Sequence, residues 1–127
     1  MNNAYLSKTE FEIMQYLWNS DQEVSAREIR DHFSSKNWSK QAISTFLKRL
    51  ADYNFIKIRK ESITKYYYSA AMTEKDYNLL PAKDIVKKSY NGSFSAFVCD
   101  LFDSNEVISA EDIDRIQKKI NELNSSQ

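Results

Sequence analysis

Up to Leu50 the apolar residues of this chain recur every three to four positions; from Ile56 onward they alternate. A change from helical to extended periodicity confines the first part of the chain to helices closed by a β-hairpin. Phe11, Met14, Leu17 and Trp18 mark a first helix, and Ala26, Ile29 and Phe33 a second. Ile43, Phe46, Leu47 and Leu50 mark a third. Residues 19–23 read as a polar turn, after which Val24 could supply a short strand. In "FIKIRKE", Ile56 and Ile58 point one way while Lys57 and Arg59 point the other. In "TKYYYSA", Tyr66 and Tyr68 share a face opposite Lys65 and Tyr67, and residues 61–63 form a polar turn without glycine.

Helix starts carry their own signals. Ser7-x-x-Glu10 and Ser25-x-x-Glu28 read as capping boxes, with Thr73-x-x-Asp76 and Ser109-x-x-Asp112 as weaker versions. Three helices followed by a hairpin is the order of a winged helix, a helix-turn-helix with a β flap beside its third helix. The expected fold is therefore mainly α with a small β-hairpin wing. Residues 1–71 would form the winged-helix domain and residues 72–127 a helical segment. In that segment Tyr77, Leu80 and Ile85 lie on a stretch that Pro81 is expected to kink or interrupt, and Asn91-Gly92 marks a break. Two apolar stripes follow, Phe94, Phe97, Val98, Leu101 and Phe102, then Ile113, Ile116, Ile120 and Leu123. One small core cannot cover both, so a homodimer joined through these residues is expected. Packing of the stripes on the N-terminal domain is the alternative.

The third helix has a second side. With Ile43, Leu47, Leu50 and Phe46 turned inward, steps of about 100° per residue place Gln41, Ser44, Thr45 and Lys48 outward, flanked by Arg49. The chain has no formal net charge, yet residues 36–65 hold eight Lys/Arg against two Asp/Glu, net +6. A polyanion would suit that segment, although a solvated face reads the same way on charge alone. Gln can bond adenine, Lys can donate to guanine, and Thr can bond a base edge or touch a thymine methyl. Together, the charge, the outward face and the element order favour double-stranded DNA. Gln41, Ala42, Ser44 and Thr45 would face bases. Ser39 at the helix start, with Lys48, Arg49, Lys57, Arg59 and Lys65, would hold phosphates. A winged helix that docks an acidic protein is the competing reading.

Other chemistry finds little support. No apolar run approaches the roughly 20 residues of a membrane span, and residues 1–4 lack the layout of a signal peptide. A lone cysteine, Cys99, excludes an intramolecular disulfide, which points to the cytoplasm. Beside an apolar stripe it reads as a small buried hydrophobe, with a redox thiol at a dimer interface as the alternative. His32 reads as a partly exposed surface residue. One His and one Cys build no structural metal site within a chain, so neither a metal nor another cofactor is expected. With no glycine-rich phosphate loop, nucleophile elbow or HExxH motif, an enzyme is not expected either.

"KTEFEIMQYLWNSDQEVSAREI", "AISTFLKRLADYNFIKIRK" and "KYYYS" together resemble the penicillinase-repressor family, which includes methicillin-resistance and copper-responsive repressors. The resemblance covers almost the whole chain. It implies a homodimeric winged-helix repressor that binds a palindromic operator, dimerises through its C-terminal helices and controls antibiotic-resistance or stress genes. It also implies that Lys40, Gln41, Ala42, Ser44, Thr45 and Lys48 hold the recognition-helix positions, with Lys65 and Tyr67 on the wing. The chain departs from the family pattern at Ala42, commonly Thr, and at Ser44, commonly basic. Antibiotic-responsive members are cleaved at an Asn-Phe bond by a sensor-linked protease. Here "VCDLFDS" offers Asp100-Leu101 or Leu101-Phe102 instead. The tail lacks the cysteine cluster of the copper-responsive members.

Overall fold

The computed structural model describes residues 6–104 and 107–126. Residues 1–4, read above for a signal layout, lie outside them. The chain divides into two compact units, Met1–Pro81 and Ala82–Gln127. The order of elements is α1 (Lys8–Trp18), β1 (Val24–Ser25), α2 (Ala26–His32), a 3₁₀ turn (Ser34–Lys36), α3 (Lys40–Asp52), β2 (Ile56–Lys60), β3 (Tyr66–Ala70), α4 (Glu74–Ser89), α5 (Phe94–Asp103) and α6 (Ala110–Ser125).

Caps set where the helices begin. The Ser7 hydroxyl accepts from the Glu10 amide at 3.2 Å while the Ser7 amide donates to the Glu10 carboxylate at 2.9 Å. Ser25 and Glu28 repeat this exchange, both bonds at 3.1 Å. Ser39, Thr73 and Ser109 each accept one first-turn amide, from Ala42, Asp76 and Asp112. Each such cap contributes on the order of 1 kcal/mol. The chain turns with little glycine because asparagine substitutes for it. Asn37, Asn54 and Asn91 take positive φ, as does Gly92 at 83°, a region that suits Gly and, next to it, Asn. Asn54 sits between α3 and β2. At the end of α4 the Gly92 amide donates to Val86 O at 2.9 Å, closing the helix at the expected break.

In the first unit, Ile13, Met14 and Leu17 of α1, Ile29 of α2, and Ile43, Leu47 and Leu50 of α3 close on Val24, Phe33, Phe55 and Ile56. The sheet runs β1-β3-β2, antiparallel throughout. Tyr68 is paired with Val24 on one side and Ile58 on the other. Phe46 is only half-buried, its ring edge-on to Trp38 at the border of the core. Ile58 shares the face of Ile56 but is 44% exposed, because the packed interior ends before the distal half of the hairpin. The first turns of α4 belong to this unit. The Trp18 indole donates to Met72 O at 2.8 Å, and the Tyr77 hydroxyl accepts from the Leu6 amide at 3.1 Å. The Tyr77 ring lies against Phe11, Trp18 and Phe55.

Of the two expected effects of Pro81, a kink or an interruption, the interruption does not occur, and α4 runs through it. Proline removes one intrahelical hydrogen bond, and the good helix formers on either side (Leu79, Leu80, Ala82 and Lys83) sustain the rest.

In the second unit, the Tyr90 ring meets Phe97 edge-on, and its hydroxyl donates to the Asp100 carboxylate at 2.8 Å. That bond, with some burial, holds the Tyr90 phenol above its usual pKa. None of the described side chains of α5 or α6 is buried. Cys99 is exposed rather than buried, beside the α5 stripe and not on it. No helix among the described residues is long and apolar enough to cross a membrane.

Candidate nucleic-acid interface

Helix α3 is built to show one side. Ile43, Leu47 and Leu50 are buried in the core cluster, while Lys40, Gln41, Ser44, Thr45 and Lys48 are exposed. Ser39 takes up the Ala42 amide at 3.0 Å. The first-turn amides that it leaves have no partner inside the helix and keep their positive end toward solvent. Ala42 is half-buried, so its methyl group lies at the rim of the polar face and not on its crest.

Not every basic side chain proposed for phosphate is equally available. Lys40, Lys48, Lys57 and Lys65 are exposed and make no ion pair among the described residues. Arg49 instead meets Glu10, Nε to Oε2 at 3.0 Å, and also lies over the Tyr53 ring. Glu10 is 4% exposed, the one buried charged residue among those described. Its carboxylate needs both the Ser7 amide and Arg49, because a buried charge without partners is costly. Arg49 therefore ties α3 to the first turn of α1.

The wing is also partly self-neutralised. Arg59 pairs with Glu23 at 2.6 Å, approaches Glu61 at 3.9 Å and stacks over the Tyr67 ring at 4.6 Å. The hydrogen bond to Glu23 holds the guanidinium above its already high ordinary pKa. Lys57 and Lys65, on β2 and just before β3, carry the unpaired charge of the hairpin, with Lys60 set near the Tyr66 ring. Lys36 pairs with Glu12 at 3.3 Å.

The sequence singled out the α3 face and the wing lysines, and the structure places both in one unit. It did not single out Glu10 beyond its role as a cap, nor Glu23 as the partner of Arg59. These partners lie far apart in the chain, so no local spacing announces them. His32 is exposed and stacks on Tyr16, ring centroids 4.1 Å apart. No group of three metal-ligating side chains occurs among the described residues.

In the second unit, Phe94, Leu101, Phe102, Ile113, Ile116, Ile120 and Leu123 are exposed, while Phe97 and Val98 are half-buried. A cavity of about 580 Å³ opens between α5 and α6, lined by Val98, Leu101, Phe102, Ile108 and Ile116 together with Arg115. Asp100, Leu101 and Phe102, the candidate cleavage segment, lie within α5.

Residues 6–122 match the family described as Penicillinase repressor. The methicillin resistance regulatory protein MecI of Staphylococcus aureus (strain N315) is 28% identical over 121 residues, covering 94% of this chain and 97% of that protein. A penicillinase repressor of Staphylococcus aureus is 29% identical over 119 residues, covering 93% and 92%. Among solved structures, the solution structure of the DNA binding domain of the repressor BlaI aligns with a TM-score of 0.51 at 27% identity. That alignment covers 58% of this chain and 89% of the other.

Proposed function

The chain belongs to the penicillinase repressor family, a family of transcriptional repressors and not of enzymes, and on that premise we propose that it acts in the cytoplasm as a homodimer bound to a palindromic operator in double-stranded DNA. The observation that carries this reading is the two-sided α3. Its apolar side is locked into the core, while Gln41, Ser44, Thr45 and Lys48 stand outward as one polar surface. Side chains of these kinds match the donor and acceptor patterns of the major groove. Lys57 and Lys65, without an ion pair among the described residues, supply charge for phosphates, and Ser39 sets the helix start toward the backbone. Tyr67 fixes Arg59 on the wing by stacking. Arg49 contributes by holding α3 against Glu10.

The homodimer is supported by the second unit. Phe94, Leu101 and Phe102 on α5 and Ile113, Ile116, Ile120 and Leu123 on α6 are too exposed for a chain that works alone. Pairing them would cover the stripes and join two copies of α3 in one molecule, as the two half-sites of a palindrome require. Two relatives are named for methicillin resistance and penicillinase. Control of resistance genes, released by a sensor-linked protease acting near Asp100–Phe102, is the corresponding proposal here.

Gel shifts with the DNA upstream of the protein's own gene, run at several salt concentrations, test this reading. The expected result is a preference for that DNA over random sequence, with the logarithm of affinity falling linearly with the logarithm of salt concentration. Equal affinity for both would favour a protein-docking module instead.

A further inference from the structure

We infer that Thr45 reads a thymine through its methyl group, an assignment that rests on the DNA-binding reading of α3. Thr45 is exposed near the middle of the outward face. Its hydroxyl donates to the Gln41 carbonyl at 2.9 Å. A threonine hydroxyl has a single proton, and here the helix's own backbone holds it. The bond draws the oxygen back against the preceding turn. The other branch at Cβ is the methyl group, and χ1 of a β-branched side chain is stiff. An incoming groove therefore meets the methyl first.

Among the groups that base pairs show in the major groove, the thymine C5-methyl is the apolar one. The neighbours on this face have other chemistry. Gln41 and Ser44 are exposed hydrogen-bonding side chains, and Lys48 is exposed and charged. Ala42 carries a methyl group, but it is half-buried. Thr45 is left as the apolar contact of the set, and it discriminates thymine from uracil, which differs by that one methyl group.

The test uses the full-length protein and its footprinted operator, with each thymine of the half-site replaced singly by deoxyuridine. That change removes the methyl and leaves every hydrogen-bonding group of the base in place. For the unaltered protein one position per half-site is expected to lose about fourfold in affinity, the scale of one buried methyl group. Thr45→Val keeps a methyl and lacks the hydroxyl, and it should keep that sensitivity. Thr45→Ser keeps the hydroxyl and its bond to the backbone, and it should bind thymine and uracil operators alike. Both variants change an exposed position, and circular dichroism checks their folding. If Thr45→Ser retains the sensitivity, or if no deoxyuridine affects a protein that still prefers its operator, the assignment is wrong while the repressor reading stands. If the unaltered protein shows no operator preference, the repressor reading falls and takes the assignment with it.

Discussion

Ile13 and Ile113 are the same residue in the same local setting, the apolar side of an amphipathic helix. Ile13 is fully buried, while Ile113 is 54% exposed. The difference belongs to the units around them. In the first unit three helices and a hairpin close on one another, so α1, α2 and α3 each find cover for their apolar sides. In the second, α5 and α6 present more apolar surface than the unit itself covers. Amphipathic pattern alone tells which side of a helix seeks cover. It does not tell whether that cover comes from the same chain.

A core truncation should mark the contrast most strongly. Leu50→Ala removes a side chain that is 1% exposed and should cost about 2–5 kcal/mol in urea unfolding, with loss of DNA binding as the first unit melts. The matching change in the second unit, Ile116→Ala, should cost far less at concentrations where the protein is monomeric, because Ile116 is already 38% exposed. Equal, concentration-independent losses would break the contrast. Next in size is the double substitution Ile116→Asp with Ile120→Asp. It should yield monomers in analytical ultracentrifugation and lower operator affinity by at least about 100-fold, while the unfolding of the first unit stays unchanged. Monomers from the unaltered protein at micromolar concentration would overturn the homodimer proposal.

Much of the first unit was legible because its signals are local. Ser7, Ser25 and Thr73 announced their caps, the shift of period at Ile56 announced the hairpin, and the spacing from Ile43 to Leu50 separated the two sides of α3. The Ser93 hydroxyl, which accepts from the Ala96 amide at the start of α5, was not singled out. What depended on distant partners was illegible. Glu10 with Arg49, Glu23 with Arg59, and Trp18 with Met72 are joined only by the tertiary fold. Pro81 showed the opposite error, a local signal overridden by helix formers around it. For the candidate interface, the sequence identified outward residues but could not say which cations the fold would occupy.

Within the first unit the same question of cover divides the interface into readers and holders. Gln41 is exposed with its amide free to bond a base, so Gln41→Ala should lower discrimination by about 1–3 kcal/mol at one position per half-site, measured by competition against single-base operator variants. Binding to random DNA should hardly change. A uniform loss on all sequences would make Gln41 a phosphate contact.

The smallest effect separates two of the wing's cations. Lys65 is exposed and unpaired among the described residues, whereas Arg59 already satisfies Glu23 and lies near Glu61. A phosphate that recruits Lys65 releases counterions at little other cost, and one that recruits Arg59 must compete with a carboxylate. Lys65→Ala should therefore weaken operator and random DNA alike, by about 1 kcal/mol or less at 0.15 M salt, and flatten the log–log salt slope by about one unit per half-site. Arg59→Gln should leave that slope nearly unchanged, since the charge it removes was matched within the chain. If the two variants flatten the slope equally, DNA displaces Glu23 on binding and the wing's internal ion pair is a resting arrangement of the free protein.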